Sequence, residues 1–297
     1  MNGPIGVVPG ENTCPSVEMA GLDTLWLYVA GTICNLRCTH CFISCSPDNH
    51  SHGMMTLREV RTHLEEAARL GVREYYLTGG EPFMNRELLP ILEATLRQGP
   101  VTVLTNGLFL DIKTCGILRT IADGSDYSLD LRVSLDGWGP EDHDAIRGPG
   151  TFVRCIEGIR NLADQRFIPV ITVTEVAASV GGSEGRSRFL KRLGSLGLPR
   201  PRLKILPLWR IGAEATRLRG YEPWERLSRD AVTDEGLAAL QCSTGRTVTT
   251  RGVYVCPILI DEPGGRMGET LGKTLRPFGL SYGACHTCYV SGVTCRT

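Results

Sequence analysis

Cysteine is the residue type in this chain best placed to do chemistry. Twelve of the 297 residues are cysteine, at positions 14, 34, 38, 41, 45, 115, 155, 242, 256, 285, 288 and 295. Most fall into two groups, 34 to 45 and 242 to 295. The first reads Cys34-Asn-Leu-Arg-Cys38-Thr-His-Cys41. Thiolate sulfur is a soft ligand suited to iron–sulfur chemistry. Three thiolates this close can hold three irons of a cubane, which leaves the fourth iron open to a small chelating molecule. A structural zinc loop and a ferredoxin-like site are the competing readings. Disulfides need an oxidising compartment, and Met1–Cys14 has neither a basic n-region nor an apolar h-region. Clustered cysteines without an export signal favour metal.

The second group holds Cys242, Cys256, Cys285, Cys288 and Cys295. A four-thiolate zinc site is one reading of it. Cys256 stands apart, because it lies in the apolar run Val253–Ile260 while the others sit among Gly, Ser, Thr and His. Apolar surroundings keep a thiol protonated, and a buried protonated thiol can give a hydrogen atom to a carbon radical. Cys45, Cys14, Cys115 and Cys155 read as bystanders, small core or surface residues.

The Cys-x3-Cys-x2-Cys spacing, with Asn35, Leu36, Arg37 and His40 as its filler, resembles the hallmark of the radical S-adenosylmethionine (SAM) superfamily. Further motifs resemble the same family: Thr78-Gly79-Gly80-Glu81-Pro82, Thr105-Asn106-Gly107, Ser134-Leu-Asp136, and Arg147 within His143–Gly148. The resemblance spans roughly residues 24 to 210. It implies a 4Fe–4S cluster on Cys34, Cys38 and Cys41 with SAM on the open iron. It also implies SAM contacts from Gly79, Gly80, Glu81, Asn106, Ser134, Asp136 and Arg147. Arginine suits the SAM carboxylate because its fork binds bidentately. Reductive cleavage of SAM would leave a 5′-deoxyadenosyl radical, with the electron supplied by a donor such as flavodoxin or ferredoxin.

The second cysteine group resembles the twitch or SPASM extensions of that superfamily, which hold auxiliary iron–sulfur clusters. Five cysteines suit one auxiliary 4Fe–4S cluster. On the apolar-run argument its ligands are Cys242, Cys285, Cys288 and Cys295, and Cys256 is the hydrogen donor. The opposite assignment, with Cys256 as ligand and Cys295 spare, stays open. A donor thiol favours epimerisation; a substrate radical oxidised through the auxiliary cluster gives a dehydrogenase. A peptide-maturation or iron–sulfur assembly partner protein is a third reading. About 23 residues precede the first strand, few for a leader-peptide module, so a small molecule is the expected substrate. Asp136, Glu141, Asp142, Asp144, Asp261 and Glu262 in loops hint at an aminated sugar. The layout resembles radical SAM enzymes of aminoglycoside antibiotic biosynthesis, both the neomycin-type epimerases and the dehydrogenases that oxidise an amino-cyclitol or sugar alcohol.

Elements must position these residues. Short apolar runs, at Leu25–Ala30, Tyr75–Thr78, Val101–Thr105, Leu129–Leu135, Ile168–Val173 and Leu203–Leu206, predict strands. Between them, Leu57–Leu70 has a helical period and a Thr56/Glu59 capping box. Helices are also predicted at Glu87–Arg97, Ile112–Ala122, Phe152–Gln165 and Arg186–Leu196. Strand–helix alternation predicts an α/β fold with a parallel sheet, a partial (β/α)6 barrel, with active residues on loops after the strands. The expected parts are an N-terminal extension at 1–23, a core domain at 24–210, and a small cysteine-rich C-terminal auxiliary-cluster domain at 211–297, with short strands at Thr247–Thr250 and Val253–Val255. Lys plus Arg and Asp plus Glu are 32 each, so no global field holds nucleic acid. The apolar runs are too short to cross a bilayer, and the expected location is cytoplasmic.

Overall fold

The central strand Leu129–Ser134 shows how the sequence sets the two faces of the sheet. In Leu129-Asp-Leu-Arg-Val-Ser134, the leucines and the valine point one way and Arg132 and Ser134 the other. The computed structural model describes residues 14–176, 180–198, 200–292 and Cys295. Residues 1–13 of the expected N-terminal extension, and 293, 294, 296 and 297 of the expected C-terminal domain, lie outside it.

In chain order the elements begin with β1 (Ser16–Val17), β2 (Thr24–Leu27), α1 (Leu57–Leu70), β3 (Glu74–Leu77), α2 (Leu88–Leu96) and β4 (Val101–Thr105). Next come α3 (Ile112–Asp123), β5 (Leu129–Ser134), α4 (Pro140–Arg147), α5 (Thr151–Asp164), β6 (Val170–Thr174), α6 (Gly182–Ser195) and β7 (Arg202–Leu206). The remainder holds α7 (Ala213–Arg217), α8 (Asp234–Ala238), β8 (Gly245–Thr249), β9 (Gly252–Tyr254), β10 (Arg266–Gly268), β11 (Phe278–Gly279) and α9 (Gly283–Ser291). Both halves of the Thr56/Glu59 capping box form at the start of α1.

The main sheet has strand order β10-β9-β8-β2-β3-β4-β5-β6-β7. Strands β2 to β7 run parallel, each beside its successor. The fold is therefore α/β with a mostly parallel sheet. One face is apolar: Leu25, Leu27, Leu77, Val103, Leu131, Val133 and Ile171 bury against the helices, with Cys115 and Cys155 filling the same core. Each such fully buried aliphatic side chain contributes roughly 1.5–3 kcal/mol. The other face carries Trp26, Leu104, Arg132, Ser134, Thr172 and Leu206, and it faces a cavity.

The chain beyond residue 210 shares this sheet, because β8 pairs parallel to β2 and β9 turns back on β8. It has its own apolar cluster, around Trp209, Leu240, Val255, Ile258, Leu280 and Cys285. Helices α4, α7, α8 and α9 were not predicted. All are short: α4 opens on Pro140 and acidic residues, α7 and α8 are five residues each, and α9 is cysteine-rich with no apolar stripe. Packing holds α9 in place, since a Cβ on Gly283 would sit 2.1 Å from Tyr221. No described helix is long and apolar enough to cross a membrane.

Candidate active site

The loop after β2 carries Cys34, Cys38 and Cys41, and all three line a cavity of about 180 Å³ over the polar face of the sheet. Their sulfurs collect N–H donors. The Leu36 amide lies 3.4 Å from the Cys34 sulfur and the Cys45 amide 3.3 Å from that of Cys41. Arg147 reaches to 3.7 Å of the Cys38 sulfur. Burial pushes the Cys34 thiol up to about 12 and that of Cys38 to about 11, the latter against Arg147. The Cys45 thiol hydrogen-bonds that of Cys41, which favours the thiolate at Cys41. Cys45 thus belongs to the cavity wall and touches a motif cysteine; its place four residues beyond Cys41 was the available signal.

Gly79 and Gly80 also line the cavity, but the backbone they approach is the chain's own. Gly80 N donates to the Gly31 carbonyl and Glu81 N to that of Ile33. A Cβ on Gly80 would meet the Ile33 oxygen at 2.1 Å, and Gly79 has φ +121°. The segment is stitched to the residues just before Cys34.

Two predicted SAM contacts take a different place. Glu81 is fully buried and does not line the cavity. Its carboxylate accepts from the Thr105 hydroxyl at 2.8 Å, the Asn106 amide at 2.7 Å and the Phe83 amide at 3.1 Å. Burial outweighs these bonds and raises it to about 7. Asp136 is likewise below the cavity. It accepts from His40 Nε2 at 2.8 Å, Arg147 Nε at 2.7 Å and the Thr174 amide at 2.8 Å. Burial alone would raise its pKa, but Arg147 and His40 win and hold it well below the usual range. Both carboxylates bond the protein's own donors beneath the cavity. Asn106, Ser134 and Arg147 do line the cavity. Asn106 Nδ2 donates to Asn35 at 2.8 Å.

The acidic loop residues read as a hint of an aminated sugar do not line the cavity either. Asp144 accepts from the Gly150 and Phe152 amides, Asp142 from the Trp138 amide, and Asp261 faces His52. Glu141 is exposed at the start of α4, and Glu262 closes a turn. These carboxylates cap turns or meet solvent. The cavity wall instead carries Trp26, Tyr28, Phe42, Trp209 and the cations Arg132 and Arg147. Arg132, which the sequence reading missed, is only 3% exposed. Its signal was a cation on the polar side of an alternating strand, two residues before Ser134.

A second, smaller cavity of about 40 Å³ is walled by all five C-terminal cysteines: Cys242, Cys256, Cys285, Cys288 and Cys295. Cys295 lines both cavities. Trp209 Nε1 donates to the Cys288 sulfur at 3.3 Å, Arg246 lies against Cys242, and Arg132 donates to the Cys295 carbonyl. Burial holds the Cys256 thiol well above its ordinary value, followed by the neighbouring Cys242 and Cys285.

A family model, Radical SAM superfamily, matches residues 28–177, half of the chain. The chain belongs to the radical SAM superfamily. Among curated relatives, the mycofactocin maturase MftC of Mycobacterium ulcerans is 28% identical over 73% of this chain and 54% of its own length. The chain thus spans about half of that relative. A GTP 3′,8-cyclase of Brucella abortus is 26% identical over 95% of this chain and 77% of its own. Among solved structures, native anSMEcpe with bound AdoMet superposes with a TM-score of 0.62 at 15% identity, covering 84% of this chain and 79% of its own.

Membership of this superfamily implies a 4Fe–4S cluster and SAM. The residues present fit them. Three thiols surround one cavity, and the ring nitrogen His40 Nδ1 is buried at its wall with no partner. Among the described residues no three His, Cys, Asp or Glu side chains converge on a single-ion site. The fit therefore rests on the spread thiols and their donors.

Proposed function

We propose that this radical SAM enzyme epimerises a carbon centre of a small polar substrate, with Cys256 returning hydrogen to the face opposite its removal. Cys34, Cys38 and Cys41 hold the SAM-binding cluster in this reading. Gly79, Gly80, Asn106, Ser134 and Arg147 hold SAM, with Glu81 fixing Asn106 and Asp136 fixing Arg147. When bound, the cluster and SAM would supply a 5′-deoxyadenosyl radical, with one electron taken from the flavodoxin- or ferredoxin-like donor and methionine leaving, to take one hydrogen from the substrate. Cys256 then gives its S–H hydrogen to the substrate radical and is left as a thiyl. One electron from a flavodoxin- or ferredoxin-like donor and one solvent proton restore it.

One observation carries this assignment. Each of the other four C-terminal thiols has a cation or an indole N–H beside it: Arg246 at Cys242, Arg226 at Cys285, Trp209 at Cys288, and Arg132 with Lys204 at Cys295. Cys256 has the Ile258 backbone and shares Arg246 with Cys242, whose influence on Arg246 is the larger. The four partnered thiols suit thiolate ligation of an auxiliary 4Fe–4S cluster, in a twitch- or SPASM-like C-terminal part. Cys256 suits a protonated donor, and the next residues, Pro257 and Ile258, line the main cavity.

Aminoglycosides are the substrate class to try first. The likeness to a mycofactocin maturase favours a second reading, modification of a peptide. Paired variants test the donor. Cys256→Ala should keep its iron and still form 5′-deoxyadenosine but release no isomer, whereas Cys295→Ala should lose iron. Iron lost from Cys256→Ala and kept by Cys295→Ala would reverse the assignment.

A further inference from the structure

The wall between the two cavities holds a buried cation that no described carboxylate answers. Arg132 on β5 is 3% exposed. Its Nε donates to the Thr172 hydroxyl on β6 at 2.8 Å, and a terminal nitrogen donates to the Cys295 carbonyl. No carboxylate among the described residues pairs with it. A second cation lies in the same row. Strand register sets Lys204 on β7 directly beside Thr172, and its ammonium is within electrostatic reach of Arg132 and Cys295.

A buried charge is costly unless an opposite charge answers it. The described hydrogen bonds of Arg132 go to neutral oxygens, and they aim it at the cysteine that borders both cavities. A cluster held by four thiolates carries net negative charge and becomes more negative on reduction. Nearby fixed cations favour the reduced form, by the same electrostatics that set pKa values.

We propose that Arg132, assisted by Lys204, is the built-in counter-charge of the auxiliary cluster and raises its reduction potential. This rests on the reading that Cys295 ligates that cluster. Arg132 acts as a positioning and tuning residue, clamped by Thr172 so that its charge stays at the wall between the cavities.

The test uses the full chain carrying Cys34→Ala, Cys38→Ala and Cys41→Ala, reconstituted anaerobically so that electron paramagnetic resonance sees the auxiliary cluster alone. A potentiometric titration then compares four proteins. Arg132→Gln should move the midpoint to more negative potential. Lys204→Gln should move it the same way by less, and it carries the test if Arg132→Gln does not fold. Arg132→Lys should restore most of the shift. An unchanged or more positive midpoint in Arg132→Gln, with iron content and signal intact, overturns the proposal. So does an unchanged midpoint accompanied by a raised KM when Arg132→Gln is placed in the protein that keeps Cys34, Cys38 and Cys41, which would assign Arg132 to an anionic substrate group. A triple-alanine parent that takes up no iron overturns instead the underlying reading of a second cluster.

Discussion

Asp136→Asn is the most informative single perturbation of the site. The Asp136 side chain is 1% exposed and serves His40, Arg147 and the Thr174 amide at 2.7–2.8 Å. Arg147 is itself buried, so its charge has little water to fall back on. Asparagine keeps the shape but loses the charge, and its amide nitrogen must face the donors of His40, Arg147 or Thr174. Removing one partner of a buried ion pair costs about 3–5 kcal/mol. At roughly 2–4 °C per kcal/mol for a protein of this size class, the thermal midpoint should fall by roughly 6–20 °C. SAM affinity should fall as well, because Arg147 loses the anchor that aims it at Cys38. Anaerobic thermal unfolding and SAM calorimetry give both readouts. The apolar double variant Asp136→Leu with Arg147→Met should be less destabilised than the sum of its single variants, because neither charge is left stranded. An Asp136→Asn protein within about 1 kcal/mol of the parent, with unaltered SAM affinity, would refute the reasoning; the threshold is well below the cost of a stranded buried charge.

Three further outcomes follow from the same geometry. Gly80→Ala forces a Cβ against the Ile33 carbonyl; overpacking of this kind costs about 1–3 kcal/mol, and the displaced cysteine loop should lower iron uptake, read by iron assay. His143 is fully buried, and burial together with Arg147 lowers its pKa from 6.5 to about 4. A lowered folded-state pKa gives stability that is present above pH 6.5 and is lost as pH falls towards 4, on the order of 2–3 kcal/mol. Denaturant unfolding at several pH values should show that loss, and His143→Gln should lack this component. Alanine at any one of Cys34, Cys38 and Cys41 should abolish 5′-deoxyadenosine formation while leaving the far-ultraviolet circular dichroism near that of the parent.

Much of the fold was legible because its strands carry their faces in their spelling. Leu129–Ser134 and Arg202–Leu206 alternate, and α1 announces its start with a two-sided cap. Helices α4 and α9 were not legible, since tertiary packing and not periodicity holds them. The joining of β8 to β2 was also hidden, because register between strands more than two hundred residues apart leaves no local mark. At the site, the cysteine spacing and the glycine pair led to the cavity. Loop carboxylates misled, because an acidic residue that caps a turn, such as Asp144, reads the same as one that binds a ligand. Arg132 escaped notice for the opposite reason, as a lone cation inside a strand with no motif around it.

The most direct test of the account is the mass of the product formed in heavy water. The reconstituted enzyme is incubated with SAM, a reductant and a panel of aminoglycosides. The account predicts an isomer of the substrate carrying one solvent-derived deuterium, delivered through the exchangeable Cys256 thiol and absent from Cys256→Ala. A product that has lost two hydrogens would contradict it and establish a dehydrogenase.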